Sequence, residues 1–169
     1  MAKKRIQLTL FVDENNSEPI EKIRKEFNPE QYELIKSHVT LCREHELEQI
    51  DIILQTLSEL NHSYITIDFG PVKRFASEKG VLIPAKISNP QFEKLRRIIL
   101  KHVYANPEKQ DPHITLMHPG NSTCTDPIFK EIENLKIPDK LKFKKISLIE
   151  QEEGKKWTIL KEFDLKKHS

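Results

Sequence analysis

Two short stretches of this sequence carry a histidine and a threonine at the same spacing. One reads His-Val-Thr-Leu from His38, and the other reads His-Ile-Thr-Leu from His113. Imidazole changes charge near neutral pH, so two imidazoles that face one site can divide the work of general base and general acid. The hydroxyls of Thr40 and Thr115 can donate hydrogen bonds to the non-bridging oxygens of a phosphate. These four side chains predict in-line attack on a phosphodiester.

In such a reaction one histidine activates the nucleophile, and the other protonates the leaving oxygen on the opposite side of phosphorus. Because the leaving group receives a proton rather than a Lewis acid, no metal ion is required, and we expect no cofactor. The same requirement predicts a bell-shaped pH profile with limbs between roughly pH 5 and pH 8.

Both stretches alternate in the way that is typical of a strand with one buried face. Residues i and i+2 of a strand point the same way, so each histidine shares a face with its threonine. By the same rule Cys42 is expected on the face of Thr40. A single strand histidine is usually structural. Two copies, each with an aliphatic residue between and a leucine after, are much rarer by chance.

The composition limits the class of protein. The chain has 169 residues, of which 37% are hydrophobic and 32% charged, which suits one soluble domain. Its net charge of +2 is too balanced for a protein that grips long nucleic acid mainly through phosphates. No apolar run approaches membrane-spanning length, and residues 6–12 are interpreted as a first strand rather than a secretory signal. The two cysteines, Cys42 and Cys124, indicate no disulfide framework, so we expect a cytoplasmic location.

The predicted elements repeat along the chain. A strand, a helix, a His-Thr strand, a helix and a strand occur twice, and the two histidines lie about half the chain apart. We interpret this order as an internal duplication. Besides the two motif strands, predicted strands cover residues 5–12, 63–69, 72–75, 80–87, 141–149 and 157–163, and predicted helices cover residues 17–27, 46–60, 90–104 and 126–135.

The predicted fold class is therefore α+β, a duplicated two-lobed unit with two antiparallel sheets that face a central groove. We expect a single domain over residues 1–169, with pseudo-symmetric halves at about 1–76 and 77–169. The groove between the lobes is the natural place for the paired motifs.

Paired His-x-Thr motifs in a duplicated α+β chain of this size resemble the 2H phosphoesterase superfamily, most closely its 2′-5′ RNA ligase-like and cyclic nucleotide phosphodiesterase branch. The resemblance covers nearly the whole chain through element order, although only the motifs are specific. It implies that His38 and His113 are catalytic and that Thr40 and Thr115 bind phosphate. It also implies metal-independent chemistry on 2′,3′-cyclic or related phosphodiesters of a nucleotide or an RNA terminus. Reversible 2′-5′ ligation is the same chemistry with a ribose hydroxyl in place of water.

Three further residues are candidate substrate contacts. Arg43 and His118 stand at equivalent positions, three residues after each threonine, where they could contact phosphate or simply be polar residues at the end of a strand. Phe11 alternates onto the groove side of the first strand and could stack on a base, although a core position is commoner for phenylalanine. A zinc site that adds His45 and His118 to the motif histidines is another interpretation, but no carboxylate or cysteine stands at a recognisable ligand spacing.

Two other classes of function are compatible with the sequence. A non-catalytic module that binds nucleotides or RNA ends would use the same groove without turnover. Histidine at both positions argues against it, because binding alone could use Arg or Lys. A structural or interaction domain would be indifferent to loss of both histidines. We expect no membrane association and no obligate protein partner.

Overall fold

The structure, a computed structural model, describes residues 3–86 and 88–167. Within these ranges no helix is both long and apolar enough to span a bilayer. The predicted strand at 80–87 ends at a residue outside the described ranges. The strands are β1 (Lys4–Phe11), β2 (His38–Cys42), β3 (Ile65–Asp68), β4 (Lys73–Phe75), β5 (Gly80–Pro84), β6 (His113–Met117), β7 (Lys140–Phe143), β8 (Lys145–Glu152) and β9 (Thr158–Asp164), and the helices are α1 (Glu14–Phe27), α2 (Pro29–Leu34), α3 (Ile50–Ser58), α4 (Pro90–Leu100) and α5 (Asp126–Glu133).

The strands form the two antiparallel sheets that the sequence predicts, so the α+β fold class is confirmed. The larger sheet has seven strands in the order β4-β5-β6-β2-β1-β8-β9, and the smaller sheet pairs β3 with β7. The first six strands of the larger sheet are related by a two-fold exchange of the halves. Replacing β1, β2 and β4 by β5, β6 and β8, and the reverse, gives the same strand order read from the opposite end. The β3–β7 pair also maps onto itself. This symmetry agrees with the predicted duplication, and it shows that both sheets draw strands from each half.

The two motif strands have matching irregularities. Opposite β1, Thr40 pairs with Thr9 and Cys42 pairs with Leu8, so β2 has one extra residue between these pairs. The β5–β6 pair has its register shift at the corresponding position, between Val81 and Leu82. Such a bulge changes the alternation of side chains along the strand. The expectation that Cys42 shares the face of Thr40 is therefore wrong, because Cys42 is fully buried in the core.

Each half supplies a helix that packs against the motif strand of the other half. Helix α1 contacts β6, and α4 contacts β2. The buried side of α4 carries Phe92, Leu95 and Ile99, which are at most 1% exposed, as the apolar stripe of this segment predicts. Each motif strand thus packs against a helix from the opposite half of the chain.

Several element boundaries differ from prediction for local reasons. Helix α1 begins at Glu14 rather than at residue 17, because the Asp13 carboxylate accepts a hydrogen bond from Asn15 N and caps the helix earlier. The predicted helix over 46–60 splits into a 3-10 turn at Glu44–Leu47 and α3. The predicted strand over 141–149 is two strands, since β7 joins the small sheet and β8 the large one.

Candidate active site

The two motif strands are neighbours in the larger sheet. Val39 of β2 stands opposite Ile114 of β6, and both side chains are fully buried. In an antiparallel pair, directly opposed residues point to the same face. Extending this register by one residue in each direction sets His38 opposite Thr115 and Thr40 opposite His113. On this extended register the four motif side chains take the corners of a rectangle on one face, with like residues on the diagonals.

The diagonal arrangement indicates how far apart the two histidines lie. Diagonal neighbours of an antiparallel pair are about 7–8 Å apart. That spacing leaves room for a phosphate between two imidazoles, each within hydrogen-bond reach of one of its oxygens. All four side chains are partly exposed, so the face is open to a ligand.

Both histidine rings are held in the same way. Nδ1 of His38 lies 2.8 Å from the carbonyl oxygen of Lys36, and Nδ1 of His113 lies 3.0 Å from that of Asp111. A carbonyl can only accept, so Nδ1 is the protonated nitrogen in each ring. In a neutral ring Nε2 then carries the lone pair, and in a charged ring it carries a transferable proton. Each carbonyl thus sets the tautomer that acid/base chemistry at Nε2 requires.

The environment of His38 favours its neutral form. Desolvation in the groove, together with the nearby charge of Arg24 and the proximity of His113, lowers the pKa of His38 to about 4, despite the opposing hydrogen bond to Lys36. His38 as a residue is partly exposed, and Phe11 lies against its ring edge-on with the two centroids 6.1 Å apart. At neutral pH this imidazole is a free base.

A residue that sequence reasoning missed orients one threonine. The Gln7 amide donates to Thr40 Oγ1 at 3.0 Å and to Thr9 Oγ1 at 2.8 Å. Because Thr40 accepts this bond, its own proton is left to donate into the groove. The matching register of the bulges makes Gly80 the counterpart of Gln7, and glycine has no side chain that could give Thr115 the same bond. Only the alternation of β1 could have signalled Gln7, since Gln7 shares a face with Thr9 and Phe11.

The other sequence candidates lie at the margins of this face. Phe11 lies beside His38 and also lines a cleft of 1130 Å³. Arg43 and His45 are exposed and line a separate concavity with Arg5 and Gln7. His118 is exposed, and partial desolvation and the charge of Arg5 lower its pKa.

The structure does not assemble the metal site considered from the sequence. Among the described residues, no group of three or more His, Cys, Asp or Glu side chains is arranged to hold a metal ion. Cys42 and Cys124 are both buried free thiols, and burial raises the pKa of Cys42 to about 12, which makes it a poor metal ligand and a poor nucleophile.

Comparison with known proteins agrees with this fold. Residues 12–155 match the model of the 2′-5′ RNA ligase superfamily. The structure is similar to E. coli LigT, solved with phosphate, with a TM-score of 0.67, 16% identity and coverage of 99% of this chain and 100% of that one. A structure described as a phosphoesterase has a TM-score of 0.69 at 15% identity, covering 98% of this chain and 100% of that one. No curated protein sequence matches the chain significantly. The match over most of its length shows that the chain belongs to the 2′-5′ RNA ligase superfamily, within the 2H phosphoesterases.

Proposed function

We propose that the protein is a metal-independent phosphoesterase that acts on a 2′,3′-cyclic phosphate, or a related phosphodiester, at a nucleotide or RNA terminus. The observation that carries this proposal is the diagonal pair of His38 and His113, each tied through Nδ1 to a backbone carbonyl and each left with Nε2 for catalysis. Membership of the superfamily supports phosphoester chemistry of this kind.

The proposed reaction uses both imidazoles in one displacement. Neutral His38 takes a proton from water at Nε2, and the water oxygen forms a bond to phosphorus. The bond from phosphorus to a ribose oxygen breaks, and protonated His113 delivers its Nε2 proton to that oxygen. Thr40 and Thr115 donate to the non-bridging oxygens, whose negative charge grows in the transition state. A ribose hydroxyl in place of water would give a 2′-5′ linkage with the same residues.

The cleft beside Phe11 supports an RNA terminus as the larger substrate. Trp157 also lines this cleft, and its backbone N–H donates to Leu34 O at 2.9 Å, so the turn before β9 lies against the segment that leads to His38. Aromatic rings beside basic groups are typical of single-strand binding surfaces. Three of the cleft's lysines pair with acids, Lys36 with Glu14, Lys144 with Asp13 and Lys145 with Glu162. The lysines that line the cleft are Lys36, Lys142, Lys144, Lys145 and Lys156.

The proposal is tested by incubating the purified protein with the four 2′,3′-cyclic nucleotides and a short RNA with a cyclic end, all in EDTA. We expect one monoester product, which phosphorus NMR identifies, and its loss in His113→Ala. Tight binding without any product would favour the alternative, a non-catalytic module that binds nucleotides or RNA ends in the same groove. We also expect a cytoplasmic location, which the two buried free thiols support.

A further inference from the structure

A single buried arginine binds the two chain segments that flank the motif strands. Arg96 of α4 is 3% exposed. On the segment at the end of β2 it donates to Leu41 O at 2.6 Å and to the Glu46 carboxylate at 2.7 and 2.9 Å. On the segment that enters β6 it donates to Glu108 O at 2.9 Å and to Gln110 Oε1 at 3.2 Å. One guanidinium thus contacts the exit of the first motif and the entrance of the second.

Gln110 extends this network to the candidate site. Its side chain is 4% exposed, its Oε1 accepts from Arg96, and its amide nitrogen donates to the carbonyl oxygen of Thr40. Gln110 lies three residues before His113. The bond to Thr40 therefore crosses from the loop that delivers one histidine to the strand that carries the other. We call Arg96, Glu46 and Gln110 the interstrand clamp.

Backbone pairing alone does little to hold these strands together. Among the described residues, β2 and β6 share the single registered pair of Val39 and Ile114. One pair can be a pivot, about which the two strands could rotate and change the distance between the histidines. The interstrand clamp adds a second connection on one side of this pivot, at Thr40 and beyond.

In the other half the buried Asn28 side chain accepts from His118 N at 2.7 Å, just after β6, but among the described residues no side chain of the loop before His38 bonds to β6 itself. Arg24 on α1 donates to Ile35 O at 2.7 Å, as Arg96 does to Glu108 O. The residue three before His38 is Ile35, whose side chain cannot donate as Gln110 does. The pseudo-symmetric counterparts therefore share the buried arginine but not the bond to the opposite motif strand. Gln110 is thus the residue of these two counterparts whose side chain bonds directly to the opposite motif strand.

We propose that Gln110, held by Arg96, is a positioning residue that sets His113 relative to His38 and Thr40 for the reaction. The expected effect on kcat rests on the proposed phosphoesterase function. The expected effect on the relative position of the two histidine rings does not. A misplacement of about 1 Å between reacting groups can cost on the order of 10² in rate. Loss of the crossing bond should therefore lower kcat more than it changes KM.

Two substitutions at residue 110 separate positioning from packing. Gln110→Met keeps the size of the side chain and removes both hydrogen bonds. Gln110→Glu keeps the acceptor for Arg96 but cannot donate to Thr40. We avoid Arg96 itself, because its removal would leave Glu46 buried and uncompensated. Ile132→Val in α5, a fully buried position outside the clamp, is the control for a general loss of stability.

The main readout needs no substrate: the ring carbon–proton NMR signals of His38 and His113 across a pH titration. We expect both signals to move or broaden in Gln110→Met and in Gln110→Glu, while Ile132→Val keeps the wild-type spectrum. With a 2′,3′-cyclic nucleotide, both variants at residue 110 should lose on the order of 10-fold to 10²-fold in kcat.

The outcomes distinguish the two proposals. Unchanged signals of both histidines in a folded Gln110→Glu protein would overturn the positioning role, whatever the activity. Shifted signals in a protein whose wild-type form turns over no phosphodiester would uphold the positioning role and overturn the proposed function. If Gln110→Met does not fold, Gln110→Glu decides alone, since it retains the bond that satisfies Arg96.

Discussion

Val39 and Ile114 stand opposite each other, and the two motif strands of the large sheet meet through this pair. The residue before each of them is a histidine and the residue after is a threonine. A single strand register therefore determines the relative positions of all four motif side chains. A slip of one residue would turn one motif to the buried side. The site therefore depends on a pairing between halves that are far apart in sequence.

The first prediction concerns the two histidines as a unit. His38→Ala and His113→Ala should each lose on the order of 10²–10⁴ in kcat/KM, because each removes one of the two proton transfers of the proposed reaction. The double variant should lose much less than the product of the two effects, since groups that act in one step are not additive. Steady-state kinetics on a 2′,3′-cyclic nucleotide, with melting temperatures for each protein, measure this. Near-wild-type turnover in folded His113→Ala would show that the paired mechanism is wrong.

The second prediction concerns metal ions. Turnover should persist after dialysis against EDTA, because in the proposed reaction Nε2 of each imidazole performs a proton transfer that a metal would otherwise assist. The check is the rate before and after chelation, with added Zn²⁺ and Mn²⁺ as separate arms. Complete loss that either ion restores would contradict this prediction.

The sequence could predict the motif strands because their alternation and their chemistry coincide. Val39 and Ile114 are aliphatic residues that favour burial, and the alternation of a strand then turns the neighbouring histidines to the opposite face. The bulge that buries Cys42 could not be predicted, since an extra residue in a strand leaves no local signal in an alternating apolar run. The sequence therefore specified the face of His38 and Thr40 but not the path of the chain after them.

The interstrand clamp illustrates a second limit. Arg96 lies beside Leu95 in a helix whose apolar stripe is clear, and an arginine there would ordinarily be assigned to the solvent side. It is buried because the Glu46 carboxylate and three other acceptor atoms, distant in sequence, satisfy its donors. Such partners come together only in the folded chain, so no pattern within α4 reveals them.

The third prediction concerns Gln7. Gln7→Leu should lower kcat/KM by about 10-fold. Without the hydrogen bond from the amide the Thr40 hydroxyl is less well oriented, which should raise the activation free energy by about 1.4 kcal/mol. Thr40→Val should cost at least as much, since it removes the donor itself. Thr9→Val is the matched control, because it deletes the amide's other acceptor and leaves the bond to Thr40 intact. Kinetics of the three variants check this, and equal rates in Gln7→Leu and Thr9→Val would contradict it.

The last prediction joins pH to stability. The pKa of His38 falls from 6.5 to about 4 on folding, chiefly because the ring is desolvated. Between these values the unfolded chain binds a proton that the native protein does not, so the free energy of unfolding should decrease as the pH falls through this range. His118 acts in the same direction, since its pKa is also lowered. His38→Gln removes one of these groups, and its melting temperature should fall less than that of wild type between pH 7 and pH 4.5.

The control for this experiment is Thr40→Val, which alters the same groove without a titratable group and should follow the wild-type decrease. The catalytic rate should also depend on pH between pH 7 and pH 4. With His38 as the base, the acidic limb of kcat/KM should lie near pH 4, well below the value of 6.5 at which an unperturbed imidazole titrates. An acidic limb above pH 6, or identical acid sensitivity of wild type and His38→Gln, would mean that His38 is solvated in the groove and that its charge is not suppressed there.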